Sequence, residues 1–230
     1  MKNPLVWLAL AVVLAGVASF YYWQHANAPE PAAPPPLADS DGVAKDALVK
    51  LFGSDAVVRA FVTDAAVRRF VATVDNLPRK TTAARLMPVR PVPGAIEVDN
   101  RGGTLTIDAK NALRYRPYIV VMEGVEAKRL VATYVQLYPL FQAAYQELGY
   151  PNGYFNDRLV QAIDDMLAAP DIASPALAQP KVLYEFADAA LEDRSAGQKI
   201  MLRMGSANAA RVKEKLRAIR RELTGQMAPQ

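Results

Sequence analysis

Apolar and polar positions divide the chain into three stretches. Leu5 to Trp23 carries no charge, and as a helix rising 1.5 Å per residue it measures about 28 Å, close to the ~30 Å hydrocarbon core of a bilayer. Ala26 to Gly42 loses all periodicity. Five prolines fall between Pro29 and Pro36, a composition that favours an extended, semi-rigid spacer. From Val43 onward, apolar residues recur at helical spacing, interrupted by glycine and proline.

Within that third stretch, Val43 to Phe52 reads as a helix stopped by Gly53. Ser54 is placed to cap a second helix carrying Val57, Val58, Phe61 and Val62. Thr63 or Asp64 is placed to cap a third, with Val67, Phe70, Val71 and Val74 on one face and Pro78 beyond its end. Met87 to Gly94 holds three prolines. Ile96 and Val98 then alternate with polar residues, as do Leu105 and Ile107, and Asp99 to Gly103 lies between them. This predicts a small hairpin. Helical signals resume after Asp108. Glu126 to Leu148 is the longest periodic element, with Pro139 inside it expected to kink or divide it. A further helix is expected over Tyr154 to Leu167, then a loop from Asp171 to Pro180. Val182 to Phe186 fits either a strand or a helical turn. Ser195 with Gln198 fits a capping box, and that helix ends at Gly205. The last helix carries Val212, Leu216, Ile219 and Leu223 as its apolar stripe.

The expected fold class is therefore mainly α. A multi-helix domain with one small β-hairpin spans residues 43–224, a short tail spans 225–230, and a linker over 24–42 joins the domain to a transmembrane helix over 5–23 that follows residues 1–4. The length of the apolar run favours an uncleaved anchor over a signal peptide, whose apolar region is shorter. Ala26-Asn27-Ala28 resembles a cleavage site, but Pro29 would follow the cut directly. Tyr21, Tyr22 and Trp23 suit the far interface. Lys2 precedes the segment, whereas Glu30, Asp39 and Asp41 follow it before any basic residue. The positive-inside rule then keeps the N-terminus in the cytoplasm and puts the domain on the periplasmic side of the inner membrane.

Composition narrows the chemistry. The chain has no cysteine, which removes disulfides, thiol catalysis and thiolate metal sites. Its one histidine, His25, lies beside the apolar segment, so the domain has neither a histidine base nor a histidine metal ligand. No metal or other cofactor is expected. The net charge of +4 permits anionic partners without requiring them.

Several constellations admit both a functional and a structural reading. Tyr134, Tyr138, Phe141 and Tyr145 form one helical stripe, suited to stacking on sugar rings or, more commonly, to a packed core with hydroxyls at its rim. Tyr150 and Tyr154 extend it into the loop Gly149 to Gly153, the best candidate for a functional surface. Ser195 and Lys199 stand four apart, which is not the spacing of the penicillin-binding nucleophile and base. Glycan hydrolysis needs paired carboxylates, for which Glu123, Glu126, Asp157, Asp164 and Asp165 are available without a recognisable signature. Arg211, Lys213, Lys215, Arg217, Arg220 and Arg221 line the last helix opposite its apolar stripe. This gives a solvated face on a packed helix or a surface for an anionic partner, and the expected orientation opposes DNA.

Several strings carry a resemblance as a set. They are Val67-Arg68-Arg69-Phe70-Val71, Asp75-Asn76-Leu77-Pro78, Arg114-Tyr115, Tyr138-Pro139-Leu140-Phe141, Glu147-Leu148-Gly149-Tyr150-Pro151, Phe155-Asn156-Asp157-Arg158, and Ser195-Ala196-Gly197-Gln198-Lys199 leading to Leu202-Arg203-Met204-Gly205. From about Val43 to Leu223 the chain resembles an uncharacterised bacterial family, domain of unknown function 3014. The resemblance implies an anchored helical domain and no activity, cofactor or substrate. Arg68, Arg69, Asp157, Arg158, Lys199 and Arg203 match its motif positions, where buried ion pairs would explain them as well as a ligand would. The expected role is non-catalytic: an envelope protein, held in the lipid bilayer by Leu5 to Trp23, whose domain binds a protein or cell-wall partner. The alternatives are a carboxylate-dependent enzyme on cell-wall glycan or peptide, and a nucleic-acid binder if the topology is inverted.

Overall fold

The computed structural model describes residues 36–100 and 102–226. The expected anchor over 5–23, most of the linker and the end of the tail lie outside the described residues. Among the described residues no helix is long and apolar enough to cross a membrane. The fold is mainly helical with small antiparallel hairpins. A 3-10 turn, Leu37–Asp39, leads into α1 (Ser40–Phe52), followed by α2 (Ser54–Ala60) and α3 (Ala66–Asn76). Hairpin β1 (Val98–Asp99) and β2 (Thr106–Ile107) precedes α4 (Asn111–Glu123), α5 (Ala127–Glu147) and α6 (Phe155–Leu167). A second hairpin, β3 (Leu177–Ala178) and β4 (Glu185–Phe186), leads to α7 (Ala189–Glu192), α8 (Ala196–Arg203) and α9 (Ser206–Gln226).

Several boundaries depart from sequence expectation for identifiable reasons. α1 begins at Ser40 rather than Val43, and Ser40 is already buried. Ser54 is the first residue of α2, whose cap position is Gly53, so no serine caps it. Phe61 and Val62 leave the helix, and Phe61 bridges to Val89 in the proline-rich stretch. α3 is capped neither by Thr63 nor by Asp64. Its first amides, Ala65 N–H and Ala66 N–H, donate to the Asp41 carboxylate at 2.8 and 3.0 Å. A cap supplied from α1 serves the same orphan donors as a local one, and it holds Ala65 at φ 48°, in left-handed space. α5 runs through Pro139 undivided, and α4 runs through Pro117. The carbonyls left without a helical donor belong to Val135 and Leu113, 42% and 64% exposed, where water can replace the missing amide. Finally, Leu177–Ala178 breaks the expected loop by pairing with Glu185–Phe186, so Val182 to Phe186 resolves toward strand and there is a second hairpin besides the predicted one.

α3, α5, α6 and α9 pack around the main core, with α1 closing one side. Its centre is aromatic. Phe155 has no exposed surface, and Phe141, Tyr134 and Tyr145 surround it with ring centroids 5.9, 6.5 and 5.6 Å away. α9 lays Val212, Leu216, Ile219 and Leu223 against this core and against a second cluster containing Ile119, Met201 and Met204. The hairpins share a third cluster, where Ile107, Leu177, Phe186 and Leu202 meet. A bridge between Thr106 and Ala176 joins them.

Candidate functional site

The loop after α5 is built by side chains from inside the helix. Gln142 donates to the Gly153 carbonyl at 2.8 Å and accepts from the Phe155 amide at 2.9 Å. The Tyr138 hydroxyl donates to the same Gln142 oxygen at 3.0 Å. Tyr145 and Tyr150 stack with centroids 4.5 Å apart, and Gly153 lies against them. A Cβ at Gly153 would lie 3.1 Å from the Tyr145 ring, so any larger residue there would press on the stack. Tyr154 follows at the start of α6, 68% exposed.

Asp75, near the C-terminal end of α3, is 5% exposed and lies at the centre of the site. Its Oδ1 accepts from Arg158 Nε at 3.0 Å, and its Oδ2 accepts from Arg79 Nη2 at 2.8 Å and from the Tyr150 hydroxyl at 3.3 Å. Arg158 also donates to the Asp75 carbonyl, and Arg79 donates to the Tyr150 oxygen at 2.6 Å. Arg158 Nη1 reaches Gln161 at 2.6 Å. A buried carboxylate between two guanidiniums is compensated in charge and hydrogen bonding, which is the condition for its burial. The Asp75 charge first, and the neighbouring Tyr150 hydroxyl after it, raise the Arg79 pKa. Burial, then the Asp75 charge, pushes the Tyr145 hydroxyl up.

These residues enclose a cleft of about 370 Å³ lined by Asp75, Arg79, Tyr145, Tyr150, Gly153, Tyr154, Asp157, Arg158 and Gln161. Other recesses have less chemistry to offer. One of about 300 Å³ between α1, α3 and α5 is walled almost wholly by carbon. Another, of about 580 Å³, has Arg59 and Arg116 as its charged members. Among the described residues no group of carboxylates is arranged to hold a metal ion.

Of the residues singled out by sequence, the cleft brings together Tyr145, Tyr150, Gly153, Tyr154, Asp157 and Arg158. The others sit elsewhere. Tyr134 is in the core, where burial raises its hydroxyl pKa, and Tyr138 supports Gln142. Arg68 pairs with Glu147 at 3.1 Å on the surface. Arg69 donates to the Asp64 and Arg85 carbonyls, tying the stretch after α3 back to it. Arg203 lies 5.0 Å over the Phe186 ring. Lys199 donates to the Glu192 carboxylate at 2.9 Å, away from Ser195. Burial works to raise the Glu192 pKa, but the Phe186 amide and Lys199 outweigh it and the net shift is downward. Ser195 accepts from the Gln198 amide as a cap and donates to Asp165 at 2.5 Å. Serine and lysine are thus each engaged with an acid and not with one another.

The remaining candidate carboxylates are mostly in structural use. Asp164 pairs with Arg220, Glu123 with Arg211, and Asp165 accepts from Ser195 and Gln198. Only Asp157 of that group lines the cleft. The basic face of α9 is partly committed to the fold. Lys213 and Lys215 donate to the Ala169 and Val125 carbonyls, just past the ends of α6 and α4, where cations complement helix dipoles.

Asp75 entered the sequence reading only as part of the string Asp75 to Pro78, and neither it nor Arg79 was named as a site residue. The signal available for Asp75 was its position: Val67, Val71 and Val74 define the buried face of α3, and Asp75 continues it. A carboxylate on an apolar stripe calls for a cationic partner. Nothing local indicated which cation.

A family model described as a protein of unknown function (DUF3014) matches residues 66–220, a span that begins at α3 and includes every residue lining the cleft. No curated protein and no solved structure matches the chain.

Proposed function

Because the chain belongs to the DUF3014 family of proteins of unknown function, which brings no activity with it, we propose its role from the site: a non-catalytic, membrane-anchored envelope protein whose helical domain binds a partner through the Asp75 cleft. The observation that carries this reading is a preformed cleft on a loop fixed to rigid helices by Gln142, with Tyr154 exposed at its rim. The uncharged run from Leu5 to Trp23 supplies the anchor, the proline-rich tether the reach, and the charge distribution around the anchor an outward-facing domain. Binding is favoured over catalysis because the buried carboxylate of the cleft is engaged by two arginines and a tyrosine. That leaves Asp157 without a second free acid in the cleft.

The test is site-specific photocrosslinking in intact cells, with a photoreactive phenylalanine analogue at Tyr154 of the full chain and, as a control, at Val58, which is 70% exposed on α2. A discrete envelope adduct from position 154 and none from 58 is the expected result. Identical adduct patterns from both positions, or none from 154, would reject the cleft as the binding surface.

A further inference from the structure

The composition of the cleft wall selects among partners. Resting on the binding role proposed above, we infer that the ligand is an uncharged stretch of glycan, with a sugar ring stacked on Tyr154. The formal charges in the wall cancel: Asp75 and Asp157 against Arg79 and Arg158. Both guanidiniums already serve Asp75, and Arg158 spends its remaining nitrogen on Gln161. A phosphate or carboxylate ligand would find a single free guanidinium nitrogen, Arg79 Nη1, and could gain a paired contact only by displacing the buried Asp75 carboxylate, which is costly.

What remains on offer is a mixture of donors and acceptors. Among the described residues, the Asp157 carboxylate, the Gln161 amide nitrogen, Arg79 Nη1 and the Tyr154 hydroxyl make no hydrogen bond with the protein, and all four residues line the cleft. Hydroxyl and acetamide groups of a sugar both donate and accept, so they can satisfy a carboxylate and a guanidinium side by side. Phosphate oxygens can satisfy only the donors. The apolar face of a pyranose requires a flat, accessible ring, and Tyr154 is 68% exposed at the rim. Tyr150 suits the role less well, because Tyr145 already covers one of its faces. The cleft, at about 370 Å³, is at the small end of ligand pockets, which suits a short segment of a strand rather than a large compact molecule.

The experiment is co-sedimentation of the full chain, in detergent, with isolated cell-wall sacculi. Competitors are neutral β-1,4-linked N-acetylglucosamine oligomers in one arm and released wall peptides in the other. The expected result is release by the neutral oligomers and not by the peptides. Tyr154→Ala should weaken sedimentation about ten-fold, the order of a lost ring stack, and Tyr154→Phe should retain most of it. Gln161→Ala, which removes the free amide donor together with the acceptor of Arg158 Nη1 but leaves Arg158 Nε on Asp75, should also weaken it. Release by peptides alone would overturn the glycan assignment and leave the binding role standing. So would a position-154 adduct to a protein with no sedimentation on sacculi. Absence of both sedimentation and adduct would remove the two proposals together.

Discussion

Replacing Asp75 by asparagine keeps the shape of the side chain and removes a charge from between two guanidiniums. Arg158 is then left with its side chain 15% exposed beside a neutral amide, while Arg79, 49% exposed, keeps access to water. Stranding a largely buried charge costs on the order of 3 kcal/mol, whereas an ion pair with one half-exposed partner contributes under about 1 kcal/mol. Urea denaturation should therefore show Asp75→Asn destabilised several-fold more than Arg79→Ala. Equal effects would mean that the cluster is not organised around Asp75. At this scale the sequence was partly legible. The loop from Gly149 to Gly153 was identifiable as a candidate surface because loop glycines and tyrosines stand out locally, and Asp157 and Arg158 were named as positions matching the resembled family. The Asp75–Arg158 contact was not legible, since it joins α3 to α6 across the core. A residue's type shows that it needs a partner, and only the packing of helices supplies one.

The elements are locked to one another through their ends. The amides of Ala196 and Gly197, opening α8, donate to the carbonyls of Arg79 and Leu77, just past the end of α3, at 2.6 and 2.9 Å. Asp165 of α6 takes Ser195 and Gln198 from the same turn. Two of the strings that carried the family resemblance, Asp75 to Pro78 and Ser195 to Lys199, thus meet in space. Gly197 leaves little room at this contact: an added Cβ would lie 2.9 Å from Met166 Cγ and 3.3 Å from the Leu77 carbonyl, so Met166 would have to shift. Gly197→Ala should cost about 1–3 kcal/mol in thermal or chemical denaturation, and Met166→Ala in the same chain should recover part of that loss. Full additivity of the two changes would show that they do not share this contact. Helix existence was well legible from periodicity, and so was the first hairpin from its alternation. Caps were less so. A serine or threonine in the right place proposes a local cap, and Asp41, twenty-four positions before Ala65, serves α3 instead. The second hairpin escaped because Leu177–Ala178 lies between Pro175 and Pro180 with no alternation around it, whereas Ile96 with Val98 and Leu105 with Ile107 mark the equally short strands of the first.

Over the whole molecule, the described residues form a helical domain with its polar cleft at one corner of an aromatic core, at the junction of α3, α6 and the loop after α5. In the proposed role the apolar N-terminal run is the anchor and the proline-rich segment the tether, so that the binding domain would face away from the cytoplasm. That location decides which ligands can reach the cleft. Cell-wall glycan is available only on the outer side, whereas on the inner side the exposed Arg217 and Arg221 of α9 would face nucleic acid instead. The most direct measurement is protease accessibility of a C-terminally tagged full chain in spheroplasts with an intact inner membrane. Loss of the tag while a cytosolic control protein stays protected is the predicted result. A tag that survives until the membrane is lysed would contradict an outward-facing domain and, with it, the envelope-binding role.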